Sequence, residues 1–146
     1  MKKKTKYVMV GLVCLGAVVF GLGKGIPAYK EHVLVQHLKS EIKQSAGLAV
    51  DSYNSFIAED SRTYDEGLLA CELHHLAMQV LQLEDIKEDH GWTGSNEIRL
   101  AREAVLLYGE EAENKEYLLK GLKALEENVE SDGHGWFLNF YNTNMQ

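Results

Sequence analysis

"TYDEGLLACELHHLAMQVLQLEDIK" (Thr63–Lys87) decides how this chain folds. Taking Leu69 as zero and stepping about 100° per residue, Leu73, Leu76, Val80 and Leu83 fall on one face. Cys71, His74, Met78 and Leu81 make a second apolar arc. Only Glu72, His75, Gln79 and Gln82 form a coherent polar strip. A helix apolar over most of its circumference is expected to pack on two sides, so the stretch from Asp65 to about Lys87 reads as the central helix. His74, inside the second arc, reads as a core imidazole. At the start, Thr63 and Glu66 match a capping box, in which Thr63 bonds the amide three residues on and Glu66 reaches back.

Downstream, Ile98, Ala101, Ala104, Val105 and Tyr108 share one helical face, which predicts a helix from about Asn96 to Tyr108, stopped by Gly109. Asn114 is placed to cap a further helix that buries Leu118, Leu122, Leu125 and Val129 before Ser131-Asp132-Gly133 ends it. Upstream, Val35, Leu38, Ile42, Ala49 and Phe56 form one seam, with Ala46 and Tyr53 beside it. They predict a long amphipathic helix over about residues 28–58 behind Pro27, weakened at Ser45, Gly47 and Ser52, where a bend or break is expected. No segment alternates with period two, so the fold class is all-α: a small bundle of antiparallel helical hairpins.

His-Gly-Trp occurs twice, at His90–Trp92 and His134–Trp136, 44 residues apart. In the first copy every part suits a helix stop: Gly91 at C′, Trp92 reaching back to Ile86, and His90 at the negative end of the macrodipole. The second fits a stop less neatly. Tyr64/Tyr108, Glu66/Glu110, Glu72/Glu116 and Leu81/Leu125 echo the same offset. The echo suggests two diverged hairpins, about residues 63–106 and 107–146, stacked as in a short α-solenoid.

The N-terminus is of another kind. After "MKKKTK" come 17 residues without a charge, Tyr7–Gly23. As a helix they span about 25 Å against a hydrocarbon core of about 30 Å, a gap that Lys6 and Lys24 bridge by extending to the headgroups. The lysine cluster predicts a cytoplasmic N-terminus. The expected organisation is a basic cytoplasmic stretch (1–6), a transmembrane signal-anchor (7–26) and an extracytoplasmic helical domain (27–146). A cleaved signal peptide, giving a secreted or periplasmic product, is the alternative. Against it, the apolar run is long and no Ala-x-Ala site is present. Ala17, Gly21 and Gly25 form a small-xxx-small stripe through which two membrane helices can approach, admitting a homodimer.

Residues 1–30 carry six lysines and no acid, leaving nine basic and all 22 acidic residues to the rest, a formal net charge of −13. Such a body repels phosphate backbones, so nucleic-acid binding is not expected. The two cysteines, Cys14 in the apolar run and Cys71, exclude a disulfide framework; Cys71 reads as a buried thiol rather than an intermolecular bridge.

No Gly-rich phosphate loop, nucleophile elbow or paired-cysteine motif occurs, so neither an enzyme nor a cofactor is expected. "ELHH" contains Glu72-x-x-His75, half of a di-iron bundle pattern that needs a second such pair and two further glutamates. No second pair exists in one chain. Stacked hairpins would let His90 and His134 converge with His75, so Glu72, His75, His90 and His134 are the candidate metal ligands of a binding module. In the tail, Trp136, Phe137, Phe140 and Tyr141 share one side of a short helix. They read either as a cap docked on the last hairpin or, with Trp92, as the surface that binds a protein partner. The leading functional expectation is a membrane-anchored interaction or accessory subunit of a cell-envelope assembly. The alternative is a metal- or ligand-binding module.

Overall fold

The computed structural model describes the backbone at residues 2–58, 63–86, 94–131 and 133–145, and the side chains of those stretches from residue 28 onward except at 63 and 64. Among the described residues the regular elements are all helical. They are α1 (Lys2–Phe56), α2 (Thr63–Ile86), α3 (Ser95–Tyr108), a 3-10 turn (Gly109–Glu111), α4 (Lys115–Glu127) and α5 (His134–Asn144). The chain divides into two units, Met1–Gln36 and His37–Gln146. The first is helical from Lys2, with residues 28–34 exposed. The span expected at 7–26 lies outside the residues whose side chains are described; among those described, no helix is long and apolar enough to cross a membrane.

In the second unit, α1 contributes Leu38, Ile42, Ala46, Ala49, Tyr53 and Phe56 to the core, the seam that its spacing predicts. No break occurs near Gly47: α1 stays helical through Ser45, Gly47 and Ser52. Those small residues serve close packing. Ser45 and Ser52 are buried, and a Cβ on Gly47 would stand 3.4 Å from Glu126 Oε1 on α4. α1 and α4 run antiparallel, which the order of their contacts records. Lys39 pairs with Glu130 at 2.9 Å, Lys43 Nζ donates to the Glu127 carbonyl at 2.8 Å, and at the other end Lys115 Nζ lies 4.9 Å from the Phe56 ring centre. The Lys43 contact puts a cation on the last carbonyls of α4, where the macrodipole favours it.

The α2–α3 pair is an antiparallel hairpin pinned at both ends by glutamates of α2. Near its C-terminus Glu84 accepts from the Gly94 and Ser95 amides (2.5 and 3.0 Å) and from Ser95 Oγ (2.5 Å), so a carboxylate closes the N-terminus of α3. At the other end Glu66 Oε1 accepts from the Glu110 amide at 3.2 Å. That contact is 44 residues away along the chain, at the start of the 3-10 turn; the Thr63 side chain of the expected capping box lies outside the described residues. Gly109 does end α3, as expected, with φ +50°; a Cβ there would collide with the Glu66 carboxylate.

α4 and α5 are antiparallel too. Gly133, at the start of α5, abuts Ala124 near the end of α4, while Asn144 at the end of α5 bonds the Glu113 backbone twice, at 2.7 and 3.1 Å. α3 and α5 run parallel: Gly94 meets His134 at one end and Tyr108 Oη reaches Met145 Sδ at the other. Asn114 stands at the N-cap of α4 as expected, but in a left-handed conformation (φ 51°, ψ 39°) and with no side-chain cap bond. Val129 is buried as expected, although it lies past the end of α4.

Two expectations are corrected. The second His-Gly-Trp opens a helix: Gly133 is the N-cap, and His134, Gly135 and Trp136 form the first turn of α5. The first copy lies outside the described residues. The hairpins also do not keep a 44-residue period, since α2 and α4 start at Thr63 and Lys115, 52 apart, and α3 and α5 at Ser95 and His134, 39 apart.

Candidate interaction surface

α2 packs on one side, not two. Its predicted inner face, Leu69, Leu73, Leu76, Val80 and Leu83, is fully buried. The second arc faces solvent: Cys71 and His74 are exposed, with Met78 at 44 % and Leu81 at 39 %. His74 is therefore no core imidazole and Cys71 no buried thiol. Gln79, expected in the polar strip, is instead buried, and its Oε1 has no hydrogen-bond partner among the described residues. Ala70 and Ala77, at the edge of the inner face, are small and buried, and the arc beyond them is exposed.

Where the exposed arc meets the first turn of α3 there is a cleft of about 310 Å³. His74, Ala77, Met78 and Leu81 line it from α2, and Ser95, Asn96 and Arg99 from α3. Its lining is mostly apolar. Arg99 donates to Asn96 Oδ1 at 2.9 Å and has no carboxylate partner among the described residues. The anchoring of Ser95 by Glu84 fixes the α3 wall.

The second exposed feature lies across α4 and α5. Tyr117 and Trp136 stack with ring centres 5.6 Å apart and planes 29° from parallel. Lys120 Nζ sits 4.9 Å from the Trp136 ring and 5.3 Å from Tyr117, and its ammonium is 3.5 Å from Glu116. Trp136 remains 36 % exposed. The face of α5 between Trp136 and Tyr141 is core: Phe137 and Phe140 are fully buried. The Phe137 ring lies on the α4 backbone at Gly121, where a Cβ would stand 2.9 Å from two ring carbons. Tyr141 is half-buried and about 140° around the helix from Trp136. Of the aromatic set expected to meet a partner, then, two residues dock the tail, Trp136 and Tyr141 flank them, and Trp92 lies outside the described residues.

The metal candidates are dispersed. Glu72 is half-buried and His75 exposed on α2, while His134 stands at the start of α5 beside Gly94 and Val80. His90 lies outside the described residues. Among the described residues no group of three His, Cys, Asp or Glu side chains is placed to hold a metal ion. Tyr53 on α1 has a displaced titration. Burial, and secondarily the negative charge of Glu116, raises its hydroxyl above the usual 10.0.

Sequence reasoning missed Glu84, Gly121 and Asn144. Gly121 had a legible signal, lying on the predicted inner face of α4 between Leu118 and Leu125. Glu84 and Asn144 act on residues outside their own helices, and no local pattern marks them. No protein-family model, no curated protein and no solved structure matches this chain.

Proposed function

We propose that this chain is a membrane-tethered protein of the cell envelope whose acidic helical domain works outside the cytoplasm as an interaction or accessory subunit. The observation that carries the interaction reading is the ordered, part-exposed Tyr117–Trp136 stack with Lys120 over it. An aromatic pair already held in place gives up little side-chain freedom on binding, and tryptophan is among the residues that most often anchor protein interfaces. The body beneath it is rigid, because Phe137 and Phe140 fix α5 against its neighbours. The tether is supported by the uncharged run Tyr7–Gly23 behind the lysine cluster, with residues 7–26 as the span and the N-terminus cytoplasmic.

Fractionation of cells followed by mild detergent extraction of the full-length chain tests both parts. The chain should stay with the membranes through an alkaline wash. A co-purifying protein should be lost on Trp136→Ala and kept on Leu107→Glu, a control at an exposed α3 position. A chain recovered in the soluble fraction overturns the tether. Co-purification unchanged by Trp136→Ala overturns the surface.

A further inference from the structure

Four lysines of the helical domain already hold oxygens of their own chain. Lys39 and Lys120 are paired with Glu130 and Glu116, and Lys43 and Lys115 donate to the carbonyls of Glu127 and Glu110. Arg99 differs. It donates to Asn96 Oδ1 at 2.9 Å and meets no carboxylate among the described residues, although the chain carries 22 acidic residues. One turn further along α3, Arg102 adds a second guanidinium, whose Nε is buried without a hydrogen-bond partner among the described residues. Arg99 and Asn96 both line the cleft of about 310 Å³ whose α2 wall is His74, Ala77, Met78 and Leu81. That volume lies at the lower end of the range for small-molecule sites. The α3 wall is held in place beforehand: Glu84 bonds both the amide and the hydroxyl of Ser95, and Asn96 steers Arg99. The Glu84 charge is itself spent on those donors and on the Gly94 amide.

We propose that this cleft binds a small organic acid with an apolar tail, an aryl- or alkyl-carboxylate. The carboxylate meets Arg99, whose planar fork of N–H donors matches it, and His74 can add a ring N–H from α2. The tail lies along Ala77, Met78 and Leu81 and takes their surface out of water; Met78 and Leu81 are 44 % and 39 % exposed without it. Charge selects the acid over a neutral or basic compound of the same shape. On a body of formal net charge −13 an anion is repelled from most of the surface and finds favourable ground only where a guanidinium lacks an acidic partner. An amine at the same place meets Arg99 as a like charge. This inference rests neither on the membrane tether nor on the Trp136 surface.

Isotope-labelled methionine methyls, followed by NMR, provide the test. The full-length chain is held in phosphatidylcholine nanodiscs, or in buffer if it dissolves without lipid. Met78 reports from the cleft, and Met145, just past the end of α5, reports from elsewhere on the domain. Titration with phenylbutanoate should move the Met78 methyl to saturation and leave Met145 in place. Phenylbutanol should bind about tenfold more weakly, for want of a charge-assisted hydrogen bond, and phenylbutylamine not at all. Arg99→Gln should bring the acid down to the affinity of the alcohol. Four results each overturn the proposal: no saturable movement of Met78, equal movement of Met145, an amine that binds as well as the acid, or a preference for the acid that survives Arg99→Gln. Should Arg99→Gln lose its helical signal, Leu81→Glu decides instead, since it puts a carboxylate where the tail must lie. It should abolish acid binding, while Leu107→Glu, exposed elsewhere on α3, should leave it intact. Acid binding unchanged by Leu81→Glu overturns the proposal.

Discussion

Gly67 and Gly121 both sit inside helices, and the same substitution should move stability in opposite directions at the two. Glycine in a helix interior costs about 0.5–1 kcal/mol relative to alanine, because more backbone freedom is lost on folding. A Cβ on Gly67 meets nothing within 4 Å, so Gly67→Ala should recover that gain undiminished. At Gly121 the new methyl would stand 2.9 Å from Cε2 and Cζ of Phe137 and 3.1 Å from Cδ2. The ring is fully buried. Overpacking of this kind costs about 1–3 kcal/mol, which outweighs the propensity gain and leaves a net loss of about 1 kcal/mol. For a folded body of this size that lowers the melting temperature by about 3–6 °C. Thermal unfolding of the full-length chain, followed by circular dichroism at 222 nm, reads both signs. Phe137→Leu added to Gly121→Ala should cost less than the two changes summed, with a coupling of about 0.5–2 kcal/mol. If Gly121→Ala melts above wild type, or the pair is additive, Phe137 does not lie on the α4 backbone and the placement of α5 is wrong.

Three further outcomes follow from the same contacts. Glu84→Ala removes the acceptor of three donors at the start of α3, so it should cost about 1–3 kcal/mol and speed amide exchange at residues 95–98 before the rest of α3. Gly109→Ala forces a left-handed alanine against Glu66 and should cost about 1–3 kcal/mol, seen as a lower melting temperature. Tyr53 has its hydroxyl raised by burial and then by Glu116, so the folded state holds its proton more tightly than the unfolded state does. The stability this contributes is fully present below pH 10 and is lost as pH rises through the raised value. Tyr53→Phe should therefore lose less stability than wild type between neutral pH and pH 11, and equal losses would refute the assignment.

The inner face of α2 was legible because five large aliphatic residues repeat at helical spacing and each finds a neighbour. Its second arc was misread because periodicity reports where apolar residues lie, not how many helices surround them. Ala70 and Ala77 end the buried face, and Met78 and Leu81 beyond them stay exposed. The second His-Gly-Trp fitted a stop poorly yet was not read as a helix start, because glycine suits both ends of a helix. What decides the case is Gly133 lying against Ala124, where a Cβ would stand 2.6 Å from the alanine methyl, a contact invisible along the chain. The boundary of α3 and its stop at Gly109 were legible, since a left-handed glycine after an amphipathic run is a local signal. The break admitted in α1 did not occur, and Ser45 and Ser52, read as weak helix formers, are buried in the core. Of the aromatic tail, sequence showed a shared side but not its division between core and surface, which depends on where α4 offers Gly121.

The central claim, that the helical domain works outside the cytoplasm, is tested most directly by labelling a single cysteine in living cells. Leu107→Cys is the site, 66 % exposed and away from both proposed binding surfaces, in the full-length chain with Cys14→Ser and Cys71→Ser. A membrane-impermeant maleimide should label it in intact cells to the same extent as after lysis. Labelling that appears only once the cells are broken places the domain in the cytoplasm and contradicts the account.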